Sequence, residues 1–329
     1  MVSVVIPTRN RIALLTRALR SVQAQHGTSF EVIVVDDCSI DETSEVIASL
    51  GDDRIRVLRT EQPGGAAVAR NVGIGEAAGR WIAFLDDDDL WAPDKLAKQL
   101  EAMSGSGRLW AYSGAVFINP AGRIRGGAPP PSPEEVIALL PHYNPIPAAA
   151  SNVIVSAKVI AETGGFDPSL IHMTDWDLWL RIAARLGPPA CAPAPTVAYH
   201  LHGGNFSAQP AGIRKEVAAM KLRHPTVDST RIYRHMSGLA IGSGRWAVGL
   251  RLLWTAVRGS DRYGLDEIRQ DGRKLLKTAA NVAGRRMGRD LDRVDRRRHD
   301  RLVQADPNRS YKNEARAWLD DINASGNHF

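Results

Sequence analysis

Four consecutive aspartates, Asp86 to Asp89, carry the strongest chemical signal in the sequence. They follow the apolar run 81–85, which is typical of a buried strand. Carboxylates this close repel one another. A divalent cation removes that cost, because Mn²⁺ and Mg²⁺ bind carboxylate oxygens and can bridge to phosphates. The run therefore predicts a Mn²⁺ or Mg²⁺ site that also binds a diphosphate, with an acidic turn before the helix after Pro93 as the alternative.

A second pair of carboxylates, Asp36 and Asp37, follows the apolar run 32–35. A carboxylate at the end of a strand can accept a hydrogen bond from a nucleotide base or a ribose hydroxyl. The pair could instead lie at the start of the next helix, where Ser39 and Glu42 have the spacing of a capping box. Both interpretations can hold together, with Asp37 on a ligand and Ser39 as the cap.

Asp175 is the third candidate, in the segment TDWDLWLR. Thr174 and Asp177 also have capping-box spacing, which would leave Asp175 in the first helical turn without a structural partner. A carboxylate at that position could deprotonate a hydroxyl group. A surface aspartate favoured by the helix dipole is the alternative.

Two further residue types could assist this chemistry. Arg70 follows Gly64-Gly65 in an alanine-rich helical pattern. Its guanidinium could clamp a phosphate or pair with a strand-end aspartate, and an exposed helix arginine is the alternative. His200 and His202 alternate near a strand end, where either imidazole could bind the metal. Ordinary core or surface histidines are the alternative for both.

The elements that must position these residues alternate between strands and helices. Apolar runs predict four strands separated by helical patterns, at about 2–6, 32–35, 55–58 and 81–85. This order predicts an α/β fold with a mostly parallel sheet and helices on both faces. Because ligands of such sheets bind beyond the carboxyl ends of the strands, Thr8, Asp37 and Asp86 to Asp89 are expected at one edge.

The chain changes character after Gly203, where it becomes helical in pattern and rich in arginine. This change predicts two parts, 1–208 and 209–329. Residues 1–204 hold 17 Lys/Arg and 22 Asp/Glu, whereas residues 205–329 hold 25 and 14. The basic part could face an anionic surface such as a membrane leaflet, or it could be a solvated helical surface.

The overall composition excludes several classes of protein. An apolar fraction of 44% and a charged fraction of 24% are ordinary for a globular chain. No apolar run reaches the roughly 20 residues of a membrane helix, and two cysteines make no disulfide framework. The chain opens on a strand pattern rather than a secretory signal. We therefore expect a cytoplasmic protein, soluble or peripheral at the inner face of the membrane.

About residues 2–205 resemble the family 2 glycosyltransferases of GT-A fold. The resemblance rests on six segments in the family's order, which are VSVVIPTRNR, VIVVDDCSIDET, GGAAVARNVGI, WIAFLDDDDLWAPDKL, ETGGFDPSL and TDWDLWLR. It implies a Rossmann-like GT-A domain with a helical C-terminal extension. It also implies transfer of a sugar from a nucleotide diphosphate to an acceptor hydroxyl, with inversion at the anomeric carbon.

The resemblance further implies which residues bind the donor nucleotide. Pro7 and Thr8 would line the nucleotide pocket, and Asp37 would bind the base. Arg70 would help to hold the nucleotide, and Asp87 would bind the ribose. The family makes UDP- or dTDP-sugars the favoured donors. The acceptor would be a carbohydrate, a lipid-linked molecule or another small molecule.

The resemblance also implies the residues that bind metal and activate the acceptor. Asp86 and Asp88 match the Asp-x-Asp motif, with Asp88 as the favoured metal ligand and His202 as a further contact. Four aspartates allow more than one register of this motif. Asp175 matches the general base, although the family commonly has Glu-Asp where this chain has Thr174-Asp175. A contact next to the base is therefore expected to differ.

Two other functions are compatible with parts of the sequence. A sugar-phosphate nucleotidyltransferase would need a glycine-rich basic loop after the first strand, but this chain has PTRNR there. A nucleotide- or nucleic-acid-binding protein without catalysis could use the basic C-terminal part. No known nucleic-acid motif is visible in it, so no nucleic acid is expected as a partner.

Overall fold

The computed structural model describes residues 1–49, 51–201, 210–242, 245–258 and 308–324. The chain forms two units. The first comprises Met1–Leu140, Asn144–His202 and Ser310–Phe329, and the second comprises Pro141–Tyr143 and Gly203–Arg309. The first unit contains the sheet, whereas the described helices of the second unit lie between residues 210 and 258.

The N-terminal half of the sheet is parallel, as the sequence predicts. Its strands are β1 (Val2–Thr8), β2 (Phe30–Asp36), β3 (Ile55–Arg59) and β4 (Trp81–Phe84), in the order β3-β2-β1-β4. Helices connect them, namely α1 (Ile12–Gln23), α2 (Thr43–Ser49) and α3 (Gly65–Gly75). Every residue of β1 is buried, as expected for a strand covered on both faces.

Strand register brings the candidate residues to one edge of the sheet. Thr8 lies opposite Asp36 in the pairing of β1 with β2. Val5 lies opposite Phe84 in the pairing of β1 with β4, so Asp86 to Asp89 follow at a similar level. This is the edge at which parallel sheets bind ligands.

The remaining strands extend the sheet beyond β4. They are β5 (Leu90–Trp91), β6 (Trp110–Ile118), β7 (Ile124–Ala128), β8 (Ile154–Ser156) and β9 (Ala190–His200). The full order is β3-β2-β1-β4-β8-β6-β9-β5, with β7 paired to β6. Strands β5, β7 and β8 run opposite to the others. The predicted α/β fold with a mostly parallel sheet is therefore confirmed.

Four more helices and one 3₁₀ turn complete the connections in this unit. They are α4 (Lys95–Ser106), α5 (Pro133–Leu139), the 3₁₀ turn Ala149–Asn152, α6 (Ala157–Thr163) and α7 (Thr174–Leu186). Aromatic packing holds the α7 helix. The ring centroid of Trp179 lies 6.3 Å from that of Trp110 and 6.4 Å from that of Phe84. This packing holds α7 against the sheet, one turn beyond Asp175.

A late segment of the chain returns to the sheet. Helix α11 (Arg309–Ala324) packs Ala315, Leu319 and Ile322 against a buried cluster that includes Val116 of β6. The indole of Trp318 also donates a hydrogen bond to the carbonyl of Pro195 in β9, at 3.0 Å. The sequence analysis predicted two parts, 1–208 and 209–329, and so placed residues 310–329 in the second part, whereas the structure groups them with the first unit.

The described part of the second unit is helical. It contains α8 (Pro210–Arg223), α9 (Ser229–Gly242) and α10 (Trp246–Arg258). Helices α9 and α10 approach closely at Gly249, where an added Cβ would lie 2.4 Å from Cγ1 of Ile241. None of the described helices in either unit is long and apolar enough to span a membrane.

Candidate active site

A cavity of about 430 Å³ lies at the carboxyl ends of β1, β2 and β4. It is lined by seven of the predicted nucleotide and metal residues, namely Pro7, Thr8, Asp37, Arg70, Asp86, Asp87 and Asp88. His200, the described one of the two histidines offered as metal ligands, is buried at the end of β9 and does not line the cavity. Arg9 and Arg11 line it as well, although the sequence analysis did not single them out. The wall of this cavity therefore carries both carboxylates and guanidinium groups.

Asp37 connects the end of β2 to the start of α3. Its Oδ1 accepts hydrogen bonds from the backbone N–H of Gly64 at 2.7 Å and from the hydroxyl of Thr60 at 3.1 Å. Its Oδ2 accepts from the N–H of Gly65 at 2.9 Å, a residue whose φ of +80° suits glycine. The carboxylate is buried and held in place at the cavity wall.

The capping box predicted at Ser39 and Glu42 is wrong. Helix α2 begins at Thr43, and the Ser39 hydroxyl instead accepts a hydrogen bond from the N–H of Asn10 at 2.8 Å. Asp36 accepts from the N–H of Ser39 at 2.7 Å. These contacts fasten the loop after β1 to the loop after β2, beside the cavity.

Arg70 is buried in α3 and is not an exposed helix arginine. One Nη nitrogen donates to Oδ1 of Asp86, and the guanidinium lies 5.1 Å from the centroid of the Phe166 ring. Among the described residues, none accepts a hydrogen bond from its buried Nε. A ligand oxygen in the cavity could satisfy this donor.

The four adjacent aspartates have alternating environments. Asp87 and Asp89 are buried, whereas the side chains of Asp86 and Asp88 are 32% and 11% exposed. Asp89 accepts hydrogen bonds from the Ser151 hydroxyl at 2.6 Å and from the N–H of His200 at 2.9 Å. Asp89 therefore anchors the loop, and the more accessible pair is Asp86 and Asp88.

Asp87 and Asp88 both form an ion pair with the side chain of Arg11. Nη1 of Arg11 lies 3.1 Å from Oδ1 of Asp87 and 3.0 Å from Oδ2 of Asp88. Thr8 also donates its hydroxyl hydrogen to Asp87, at 2.8 Å. Burial, with the neighbouring charge of Asp88, raises the pKa of Asp87 to about 6. Arg11 could have been predicted as a cavity residue, because it is a cation that follows closely after the end of β1.

Asp175 lies in the first turn of α7 and is 9% exposed, so it is not a surface aspartate. The side chain of Asn144 donates a hydrogen bond to its Oδ2 at 2.9 Å, a partner that the sequence analysis missed. Burial raises the pKa of Asp175, while the positive charge of Arg70 lowers it and Asp86 adds to the increase. The dependence on Arg70 and Asp86 connects Asp175 electrostatically with the cavity.

The capping box predicted at Thr174 and Asp177 is also wrong. Helix α7 has Met173 at its N-cap and no side-chain capping hydrogen bond. Asp177 instead accepts a hydrogen bond from Nη2 of Arg181 at 2.6 Å. Both capping predictions failed because the spacing of residue types did not fix where the helix begins.

The carboxylates fit a divalent ion that shares its coordination with a ligand. In the described ranges, no three or more His, Cys, Asp or Glu side chains form a ready-made metal cage. Mg²⁺ commonly uses only one or two carboxylates, with phosphates and water completing the shell. Asp86 and Asp88, both on the cavity wall, supply that number. The predicted contact from His202 lies outside the described residues.

Comparisons with known proteins found a family model and several relatives that this chain resembles. Residues 3–142 match the family described as Glycosyl transferase family 2. The chain is 39% identical over 122 residues to the succinoglycan biosynthesis protein ExoO of Rhizobium meliloti, which covers 37% of this chain and 35% of that protein. It is 41% identical over 116 residues to the putative teichuronic acid biosynthesis glycosyltransferase TuaG of Bacillus subtilis, covering 35% and 46%.

Longer similarities have lower identity. The chain is 29% identical over 210 residues to the Escherichia coli enzyme WfaP, a UDP-Glc:alpha-D-GlcNAc-diphosphoundecaprenol beta-1,3-glucosyltransferase, covering 63% of this chain and 80% of that protein. A crystal structure of Staphylococcus aureus TarS 1–349 in complex with UDP-GlcNAc superposes with a TM-score of 0.57 at 18% identity, covering 85% and 80%. This structural likeness supports the GT-A fold. The chain spans only about a third to a half of ExoO and TuaG.

Proposed function

Because residues 3–142 match the model of glycosyl transferase family 2, we propose that the protein transfers a sugar from a nucleotide diphosphate to an acceptor hydroxyl. One observation carries this proposal. Carboxylates and guanidinium groups from the ends of several strands and from helix α3 line one cavity of about 430 Å³. The buried carboxylate of Asp175 has its pKa set partly by two residues of that cavity, Arg70 and Asp86.

The donor would bind along the wall of the cavity from Asp37 to Asp88. In the proposal, Asp37 accepts from the base, Asp87 binds the ribose, and Pro7 and Thr8 line the nucleotide pocket. UDP-sugars are favoured, with dTDP-sugars next. WfaP, as its name states, uses UDP-Glc, and TarS was crystallised with UDP-GlcNAc. The buried Nε of Arg70 is available for a phosphate oxygen.

Asp88 and Asp86 would hold Mn²⁺ or Mg²⁺, with His202 as a further candidate ligand. When bound, such an ion supplies Lewis-acid neutralisation of the leaving diphosphate. Arg11 already places a positive charge at Asp87 and Asp88. This charge reduces the repulsion between the two carboxylates, and Arg11 lines the cavity in which the diphosphate would lie.

Asp175 would act as the general base on the acceptor hydroxyl. It accepts the proton as the oxygen attacks the anomeric carbon opposite the leaving group, so the configuration inverts. Burial raises the pKa of Asp175, which makes its carboxylate a stronger base than an exposed aspartate. The hydrogen bond from Asn144 would orient that carboxylate.

The acceptor and the cellular location are proposed from the relatives. WfaP is named for a diphosphoundecaprenol-linked acceptor, and ExoO and TuaG are named for polysaccharide biosynthesis. A lipid-linked carbohydrate used in building the cell envelope is the acceptor class that these names favour. Such an acceptor suits a cytoplasmic protein that works at the inner face of the membrane.

A donor screen tests the proposal directly. The full chain is incubated with UDP-, dTDP- and GDP-sugars and Mn²⁺, and slow release of the nucleoside diphosphate is measured without acceptor. We expect release from one donor, its loss with EDTA, and weaker Mn²⁺-dependent donor binding in Asp88→Ala by calorimetry. Release of pyrophosphate from a nucleoside triphosphate would favour a nucleotidyltransferase instead. No donor binding at all would reject the proposal.

A further inference from the structure

Helix α10 (Trp246–Arg258) exposes an apolar and cationic face in the second unit. Leu250 and Trp254, one helical turn apart, are 54% and 57% exposed. Arg251 and Arg258 are exposed beside them. The opposite side of the helix is buried through Gly249, Leu252 and Ala256. A tryptophan and a leucine exposed on a helix whose other side is buried indicate a surface that meets a partner.

The segment that contains this face carries charge of one sign. Residues 229–260 contain no aspartate or glutamate but contain five arginines. Within the described ranges, Arg251 and Arg258 form no ion pair. The guanidinium of Arg258 instead lies over the Trp254 ring, 4.7 Å from its centroid. The partner of this face must therefore be apolar at its centre and negatively charged at its rim.

We propose that the exposed face of α10 binds the surface of a bilayer that contains anionic phospholipids. Tryptophan prefers the boundary between lipid chains and headgroups, because its ring is apolar and its N–H is polar. Arginine beside it pairs with headgroup phosphates. A short helix with one apolar face and cationic flanks lies in the plane of this boundary. A single-stranded nucleic acid would instead need several aromatic rings on which its bases could stack.

The proposed membrane binding depends on α10 alone, and it is measured without any sugar transfer. If the proposed enzymatic function failed, this test would still stand. The full chain is sedimented with vesicles of phosphatidylglycerol and phosphatidylcholine in equal parts, and with vesicles of phosphatidylcholine alone. We expect binding only to the anionic vesicles, and we expect added salt to weaken it because the headgroup attraction is screened.

Three variants locate the binding on α10. The double substitution Leu250→Ser with Trp254→Ser should weaken vesicle binding by about tenfold or more, because two large apolar side chains no longer enter the bilayer. Arg251→Gln with Arg258→Gln should weaken binding and reduce its salt dependence. Leu222→Ser is the matched control, because Leu222 on α8 of the same unit is 85% exposed. It should bind as the unchanged protein does.

Circular dichroism and melting curves check that each variant is folded. If the double serine variant does not fold, the arginine variant still decides the question. The proposal is overturned if the unchanged protein does not bind anionic vesicles. It is also overturned if the α10 variants bind equally well, or if Leu222→Ser loses as much binding. A dimer that only the α10 variants abolish, without vesicle binding, would assign the face to self-association instead.

Discussion

The cavity of the first unit and the exposed face of α10 both concentrate charge, but they manage it differently. In the cavity, Arg70 contacts Asp86, and Arg11 contacts Asp87 and Asp88. On α10, Arg251 and Arg258 lie among residues that include no acid from 229 to 260. The charges of the cavity are matched inside the protein, whereas Arg251 and Arg258 have no ion-pair partner among the described residues.

The two regions should therefore differ in how they respond to substitution. Burial raises the pKa of Asp87, Asp89 and Asp175, so the fold holds carboxylates in surroundings that disfavour their charge. Such groups depend on their neighbours, and a change of one is expected to affect the others. The exposed arginines of α10 have water as an alternative partner, so their loss should leave the fold unchanged.

The largest effect is expected from Asp175→Asn, which tests whether sugar transfer depends on the buried carboxylate of Asp175. The amide cannot accept the acceptor's proton, so transfer should fall by roughly 10²–10⁴-fold. Donor binding, measured by calorimetry, should change little. Asp94→Asn is the control, because that carboxylate is 36% exposed at the start of α4 and should retain full activity. Retained transfer by Asp175→Asn would remove the residue from its proposed role.

The pH profile of transfer tests the same carboxylate without changing it. Because its folded pKa is raised, Asp175 takes up a proton at higher pH than an ordinary aspartate does. Activity should therefore fall as the pH decreases through that raised pKa, above the usual range of an exposed aspartate. An acid limb at the ordinary value of 3.8 would show that burial does not act on the catalytic carboxylate.

Two substitutions, Arg70→Met and Arg80→Met, compare the loss of a buried arginine with the loss of an exposed one. The first removes the larger contribution to stability. It removes the partner of Asp86, and since that carboxylate is 32% exposed, we expect a loss of about 2–3 kcal/mol in the free energy of unfolding. Donor affinity should also fall. Arg80→Met at an exposed position is the matched control and should cost less than about 0.5 kcal/mol in urea titrations. Equal costs would contradict the comparison.

Ser151→Ala tests the support beneath the aspartates. The Ser151 hydroxyl donates to Asp89 at 2.6 Å and accepts from the N–H of Asp86 at 3.0 Å. Its loss should lower the free energy of unfolding by about 1–2 kcal/mol, because both groups lose a hydrogen bond. Mn²⁺ affinity should fall as well, since the loop that carries Asp86 and Asp88 loosens. Unchanged Mn²⁺ affinity would show that Ser151 does not position the metal ligands.

The smallest change is expected from Arg251→Gln with Arg258→Gln. The free energy of unfolding should stay within about 0.5 kcal/mol of the unchanged protein, because both arginines are exposed. Release of nucleoside diphosphate in solution should also be unaffected. A loss of stability comparable with that of Arg70→Met would mean that the face is structural and that the two regions do not differ as described.

Local patterns were enough to predict the fold and the edge of the sheet that carries the site. Buried strands appear in the sequence as continuous apolar runs, and polar candidates follow three of the four N-terminal runs, at 2–6, 32–35 and 81–85. The positions of Thr8, Asp37 and Asp86 to Asp88 on one cavity follow from that rule. Their roles in binding and catalysis remain predictions.

The partners of these residues could not be predicted, because they come from distant parts of the chain. Arg11 is 76 positions from Asp87, Ser151 is 62 from Asp89, and Asn144 is 31 from Asp175. No local periodicity records such pairs. The two capping boxes failed for another reason, because the spacing of residue types does not fix where a helix begins. Ser39 accepts a hydrogen bond from Asn10, 29 positions away, whereas Asp177 accepts one from Arg181, four positions later in the same helix.

The return of α11 to the sheet has a consequence for how the protein is made. Its apolar side chains cover Val116, Ile118 and Ala198, which are synthesised long before it. Until residues 309–324 leave the ribosome, that side of the nascent sheet remains open to water and to other unfinished chains. A gene shortened at codon 208 should therefore yield aggregates rather than a working domain. Supplying α11 as a separate peptide would be the natural attempt at rescue.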